Sequence, residues 1–368
     1  MKPRIVIAIL IAATAATARA QSSIPYPDLA RRIVTALAVE RGERVLLRYD
    51  PATLAPLAPE LTKQLEAKGA KVDRLSYGPA PDLANRLAQT DIYVWLPAGD
   101  NAETPAAERA LLAKWLDEKR GRQIHFHWNG GTRDVDGLTV PHTSPYDAVY
   151  VAALDVDYAA LSRQQDAAIA RLRSGEVRVT SPDGTDLRFR IGDRPFNKQD
   201  GDASNKRMTT ARVRVDREIE LPAGVLRVAP IESSVNGVLA IPKARFGDAT
   251  VTGARLTIAD GVVVKASAES GEPALQAFLK SAPGASRFRE FCLGFNPKLV
   301  VPPGSTALPY YGYGAGVVRM SLGDNEEVGG EVRGGGVRWL FFPQTTVSVG
   351  GSTLVQNGKL LSQPTPTR

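Results

Sequence analysis

Histidine is the first residue type whose spacing suggests chemistry. The chain holds three, and two of them form His125-Phe126-His127. On a strand, alternation puts both imidazoles on one face and Ile124, Phe126 and Trp128 on the other. Such a pair binds zinc when further ligands join it. His142, with Asp134 or Asp136 in the following loop, would complete the set. The competing reading is a pair of half-exposed strand histidines along a cleft wall. Cys292, the sole cysteine, lies between Phe291 and Leu293 and reads as a buried thiol, because a nucleophilic one needs an exposed electropositive setting. Asp183, Asp186, Asp200 and Asp202, with nearby Asn205, lack EF-hand spacing and read as solvated turns. No G-x-S-x-G offers a nucleophile elbow, and no G-x-G-x-x-G follows a strand. Residues 310–316 (YYGYGAG) form an aromatic segment that either lines a cleft or makes a loop.

The elements that must carry these residues alternate between two periods. Strands are expected at 44–49, 71–77, 92–96 and 123–128, with helices at 28–39, 53–68, 82–89 and 105–119 between them. Short apolar strands separated by helices predict a parallel sheet covered on both faces. A longer helix at 158–173 closes this part. After it the period drops to two, and 176–180 and 187–191 flank a Pro-Asp-Gly turn as a hairpin. Short β segments then run to residue 355, interrupted by one helix around 274–280. The expected fold is an α/β N-terminal domain (22–174) joined to a β-rich, mainly antiparallel C-terminal domain (175–361), with a disordered tail at 362–368.

Residues 1–20 read as a secretory signal peptide. Lys2 and Arg4 precede an apolar run too short to span a bilayer, and Ala18-Arg19-Ala20 forms the cleavage site. A periplasmic or secreted protein is therefore expected. Without Lys2, Arg4 and Arg19, the formal charge falls from +7 to +4. Charges of both signs are interspersed, which argues against nucleic acid as a partner. No later stretch is apolar enough for a membrane span, and a lone cysteine excludes intrachain disulfides.

Five segments carry a family resemblance. They are Gly184-Thr185-Asp186-Leu187, Ala229-Pro230 with Glu232 to Gly237 (ESSVNG), Arg289-Glu290-Phe291 with Asn296-Pro297, Leu322-Gly323-Asp324-Asn325 with Gly329-Gly330, and Gly350-Gly351-Ser352-Thr353 with Asn357-Gly358. In this order they resemble the thermophilic-type metallo-aminopeptidases, the family of aminopeptidases T and S. The resemblance implies two divalent metal ions facing an interdomain cleft, a peptidase activity and a homodimer. It also implies five ligand positions, which fall here on Val225, Glu290, Arg319, Arg338 and Leu340. Only Glu290 retains a ligating side chain. Arginine stays protonated and has no lone pair to offer. No histidine follows His142, so a shift in register does not restore the set. The related dihydroxypyridine dioxygenases, which use the same late histidines and aspartate for iron, are disfavoured on the same grounds.

The expectation is thus a relative that has lost metal-dependent hydrolysis, takes no cofactor and binds a small anionic or peptide ligand. Glu290, Arg319 and Arg338 would form its pocket, with Arg333 at the rim and at least one arginine paired with Glu290. The competing reading makes these arginines solvent-facing strand residues. Two alternatives stay open: an active metallo-aminopeptidase using Zn, Co or Mg on other ligands, and a structural or interaction protein on the same scaffold.

Overall fold

The first four strands lie side by side in parallel, as alternating strand and helix dictates. The computed structural model describes residues 24–97, 105–128, 133, 140 and 143–361. The strands are β1 (Arg44–Tyr49), β2 (Lys71–Ser76), β3 (Ile92–Trp95) and β4 (Arg122–Phe126). Their spatial order is β2-β1-β3-β4, followed by a fifth strand, β8 (Glu218–Leu221), from far along the chain. Side chains alternate between two apolar layers. Val45, Leu47, Ile92, Val94 and Ile124 pack with α1 (Tyr26–Leu37), α2 (Leu57–Ala67) and α5 (Ser144–Leu154). Leu46, Tyr93 and Trp95 pack with α3 (Leu83–Leu87) and α4 (Ala106–Asp117). Helices therefore cover both faces. The long helix α6 (Tyr158–Arg173) follows, its first turn capped by Asp157, which accepts from the Ala160 amide at 2.9 Å.

Two details differ from the expected elements. The second helix begins at Leu57 rather than at 53, because the Asp50 carboxylate accepts from the Ala52 amide and the Thr53 hydroxyl and holds a turn there. The helix α5 was not expected, because Ala148, Val151 and Ala152 make its outer face apolar as well and mask its buried stripe. The residues expected to form the signal peptide and the tail, and the candidate ligands Asp134, Asp136 and His142, all lie outside the described residues.

The second half forms two mainly antiparallel sheets around a shared core. The larger contains β5 (Val177–Thr180), β6 (Asp186–Phe189), β10 (Asn236–Phe246), β11 (Ala249–Ala259), β12 (Val262–Ser267), β16 (Thr346–Val349), β17 (Ser352–Gln356) and β18 (Lys359–Leu360). The smaller runs β15 (Arg338–Phe342), β14 (Val318–Leu322), β13 (Phe288–Gly294), β9 (Val225–Val228) and β7 (Asn197–Gln199). One helix, α7 (Asn205–Met208), precedes β8, and another, α8 (Glu272–Leu279), precedes β13.

The smaller sheet has two unlike faces. Leu226, Val228, Phe291, Leu293, Val318, Met320, Leu340 and Phe342 join the shared core, where Phe291 meets Phe189 with ring centroids 5.3 Å apart. Alternation turns Arg227, Glu290, Cys292, Arg319, Ser321 and Trp339 the other way, toward β4 and β8. A cleft of about 250 Å³ lies between these two walls. The strands β8 and β9 are consecutive, joined by Pro222-Ala223-Gly224. Gly224 has φ +139°, and a Cβ there would lie 2.5 Å from that of Asn296. Only glycine fits so close an approach. Asn296, fully buried, donates to the Ala153 and Ala223 carbonyls at 3.0 and 2.7 Å and so ties the end of α5 to this turn.

Candidate functional site

The floor of the cleft is built around Glu290, which has no exposed surface. Its Oε2 accepts from Nε and Nη2 of Arg227 at 3.2 and 3.1 Å. Its Oε1 faces Nη2 of Arg319 at 3.2 Å and Nη1 of Arg289 at 3.0 Å. Arg289 neighbours Glu290 in sequence, so regular pleating would send the two apart. A bulge breaks the β13–β14 register between Phe288 and Glu290, and bulges re-aim a side chain in this way. Glu327 closes the network, accepting from Arg227 Nη2 at 2.8 Å and from Arg289 Nη2. Burial alone would raise the Glu290 pKa. The guanidiniums of Arg227, Arg289 and Arg319 outweigh it and hold the carboxyl far below its usual range.

Arg319 is 2% exposed and sits over the Trp339 ring at 4.9 Å and the Tyr313 ring at 5.4 Å. Its Nη2 also lies 3.2 Å from Cys292 Sγ. Burial pushes that thiol up to about 11, so it stays protonated at neutral pH and is no nucleophile.

The opposite wall belongs to the first sheet. His125 on β4 and His127 just past its end point the same way, their rings 5.4 Å apart, with Ile124, Phe126 and Trp128 in the core behind. His125 Nδ1 lies 2.9 Å from Glu218 Oε1 on β8. Burial alone would lower the His125 pKa, but Glu218 more than offsets it, and the net shift is upward. For His127, burial, His125 and Arg133 all act downward, well below the ordinary value. Its ring packs against Trp95 and Tyr311 at 5.1 Å each. Glu220, two residues along β8, shares the face of Glu218 and hydrogen-bonds Tyr313. Burial raises the pKa of Glu220.

A raised folded-state pKa at His125 contributes stability that is complete below the unfolded value of about 6.5 and fades as pH rises through the folded value. Replacing Glu218 with glutamine removes the offset and leaves burial in charge. The His125 titration midpoint then falls, as read from the imidazole C2–H resonance. An unmoved midpoint would mean that Glu218 does not set this group.

The structure brings together Glu290, Arg319, His125 and His127 but not the other expected residues. Arg338 is not in the cleft. The β14–β15 register pairs it with Leu322, so it faces the core side and stacks over Phe246 at 5.2 Å. Arg333 sits in an exposed turn, 3.3 Å from Glu326. Arg338→Ala is expected to cost about 1 kcal/mol or less in urea unfolding, the scale of one cation–π contact. Among the described residues, no group of three or more His, Cys, Asp or Glu could hold a metal ion, so His125 and His127 have no third ligand there. The other proposed ligands, His142 with Asp134 or Asp136, are outside the described residues.

Tyr311 and Tyr313, from the aromatic segment 310–316, line the cleft, but residues that sequence reasoning missed dominate it: Arg227, Arg289, Glu327, Glu218 and Glu220. The one available signal was Glu218-Ile219-Glu220-Leu221, whose alternation sets both carboxylates on one face.

Comparison with known proteins fits this architecture. Residues 157–300 match the model of a family described as thermophilic metalloprotease (M29). That stretch resembles the thermophilic metalloproteases. The fold agrees: AmpT (aminopeptidase T) from Thermus thermophilus superposes with a TM-score of 0.58 at 15% identity, covering 92% of this chain and 99% of its own. A 2,5-dihydroxypyridine dioxygenase from Pseudomonas putida KT2440 superposes with a TM-score of 0.63 at 14% identity, covering 93% and 98%. No curated protein sequence matches. No described helix is long and apolar enough to cross a membrane.

Proposed function

We propose that this exported homologue of metallo-aminopeptidases has lost metal-dependent peptidase activity and binds a small anionic or peptide ligand in the cleft. The observation that carries the reading is the state of Glu290. Both of its oxygens are already engaged by Arg227, Arg289 and Arg319. A dication entering here would displace three guanidiniums from their countercharge and meet their repulsion, and arginine gives it no lone pair. The residues present do not fit a two-metal site, so no hydrolytic step is assigned to one. Export rests on the leader-like residues 1–20.

The test is metal analysis of the purified protein together with hydrolysis of a panel of aminoacyl-p-nitroanilides, with and without added Zn, Co or Mg. The expected result is no stoichiometric ion and no chelator-sensitive release. A bound ion pair with chelator-sensitive hydrolysis would overturn the proposal.

A further inference from the structure

A second cavity, of about 360 Å³, opens at the first sheet and shares no lining residue with the cleft. Its walls come from the amino ends of parallel strands. Glu43 stands just before β1, Asp91 just before β3 and Arg217 just before β8, and Arg122 opens β4. Parallel pairing gathers these four positions at one end of the sheet.

Most of the charge there is already matched. Glu43 accepts from both Nη atoms of Arg122 at 2.6 and 2.9 Å. Asp91 accepts from Nε and Nη2 of Arg44 at 3.1 and 3.0 Å, and Arg120 pairs with Glu118 at 2.8 Å. What is left is two cations, Arg217 and Lys119, against one carboxylate, Glu40, and none of the three has an ion pair among the described residues.

Arg217 is half-buried, and its two bonds, at 3.0 and 3.3 Å, go to the Gly121 and Met208 carbonyls, which carry no countercharge. A guanidinium has five N–H donors, and the Nε of Arg217 is not sealed from solvent, so donors remain for something in the cavity. Burial pulls the Arg217 pKa below its ordinary value, and Asp216 offsets only part of that. Lys119 sits exposed two residues past helix α4 with φ +56°, a left-handed conformation that helix ends usually give to glycine. The turn is fixed from below, because a Cβ on Gly121 would lie 2.2 Å from the Trp115 ring. The cavity exceeds what a bare ion fills and lies at the small end of small-molecule sites.

We propose that this cavity holds a small organic anion, a phosphate ester or a carboxylate, whose negative end meets Arg217 and Lys119. Both candidates share one chemistry, an oxyanion offered to a guanidinium and an ammonium. Glu40 opposes the anion and limits the charge it neutralises. This site stands apart from the cleft and does not depend on whether the cleft takes metal.

The experiment is isothermal titration of the full mature chain at low ionic strength with glycerol phosphate, succinate and inorganic phosphate. Glycerol phosphate or succinate binds, and Arg217→Gln weakens that binding by roughly tenfold, the worth of a charge-assisted hydrogen bond. Lys119→Gly removes the ammonium and relaxes the turn, so binding weakens while the thermal unfolding temperature holds or rises, which separates a lost contact from lost folding. Glu40→Gln removes the opposing charge and tightens binding several-fold. Glycerol phosphate tighter than succinate assigns the ester, and the reverse order assigns the carboxylate. Inorganic phosphate binding as tightly as either would overturn the organic body of the ligand. Affinities unchanged in Lys119→Gly and Glu40→Gln would overturn the site, as would no heat from any of the three compounds at millimolar concentration.

Discussion

Glu290→Gln loses about 3–5 kcal/mol of unfolding free energy in urea titration, the usual cost of stranding a buried charge. The side chain is fully buried against Arg227, Arg289 and Arg319. Glutamine keeps the shape but removes the countercharge that all three share. Converting one of them as well, in Glu290→Gln/Arg319→Met, returns part of the loss by removing a stranded cation. Acid behaviour gives a second readout. Burial would raise the Glu290 pKa, yet the guanidiniums depress it, so the sign follows a depressed carboxyl. Its contribution is complete above the unfolded value of about 4.3 and is lost as pH falls through the folded value. The variant therefore shows a shallower decline of stability below pH ~4 than the parent. A loss under about 1 kcal/mol would mean that solvent, not Glu290, neutralises this cluster.

Asn325→Ala is expected to cost about 3 kcal/mol, from three lost hydrogen bonds and the partners left unmade. Asn325 has no exposed surface. Its Nδ2 donates to Glu232 Oε1 at 3.0 Å and to the Arg289 carbonyl at 3.2 Å, and its Oδ1 accepts from the Val332 amide at 2.7 Å. Neighbouring Asp324 is a control. It is half-buried and, among the described residues, accepts from the Glu326 and Gly334 amides, so Asp324→Ala costs roughly 1 kcal/mol. Thermal unfolding of the two variants separates them, and equal losses would remove the special role given to Asn325.

That contrast explains which parts of the molecule could be read from sequence. The segments that carry the family resemblance are largely structural. Glu232 and Asn325 come from two of them and bond each other, and Gly330 is confined because a Cβ would sit 2.1 Å from Asn325. Asn296 from a third holds the turn at Gly224. Such residues keep their types because burial leaves them one geometry. The parallel sheet was legible for a similar reason, since β1, β3 and β4 are apolar runs cut by helices. The helix α5 was not: Tyr146, Val149, Tyr150, Ala153 and Leu154 are buried at helical spacing, but Ala148, Val151 and Ala152 make the opposite face apolar too and hide the stripe.

The cleft was harder. Arg319 and Arg338 both stand among apolar residues, and only the pairing of Ser321 with Trp339 decides that they face opposite ways. The turning of Arg289 depends on a bulge that has no local signature. Glu218 and Glu220 alternate plainly, but nothing near them says that their strand returns to β4 across about ninety residues. Long-range register is set by packing, and packing is what a one-dimensional reading lacks.

The return of β8 to the first sheet also bears on modularity. The polypeptide leaves one half at Arg173, comes back to donate Glu218–Leu221, and crosses again within three residues. Scission after the long helix would deprive the earlier half of its edge and bare Ile219's and Leu221's neighbours, Ile124 and Phe126, along an open ladder. The two halves are consequently one inheritable unit: neither can be shuffled, truncated or traded without dismantling the wall that the other needs.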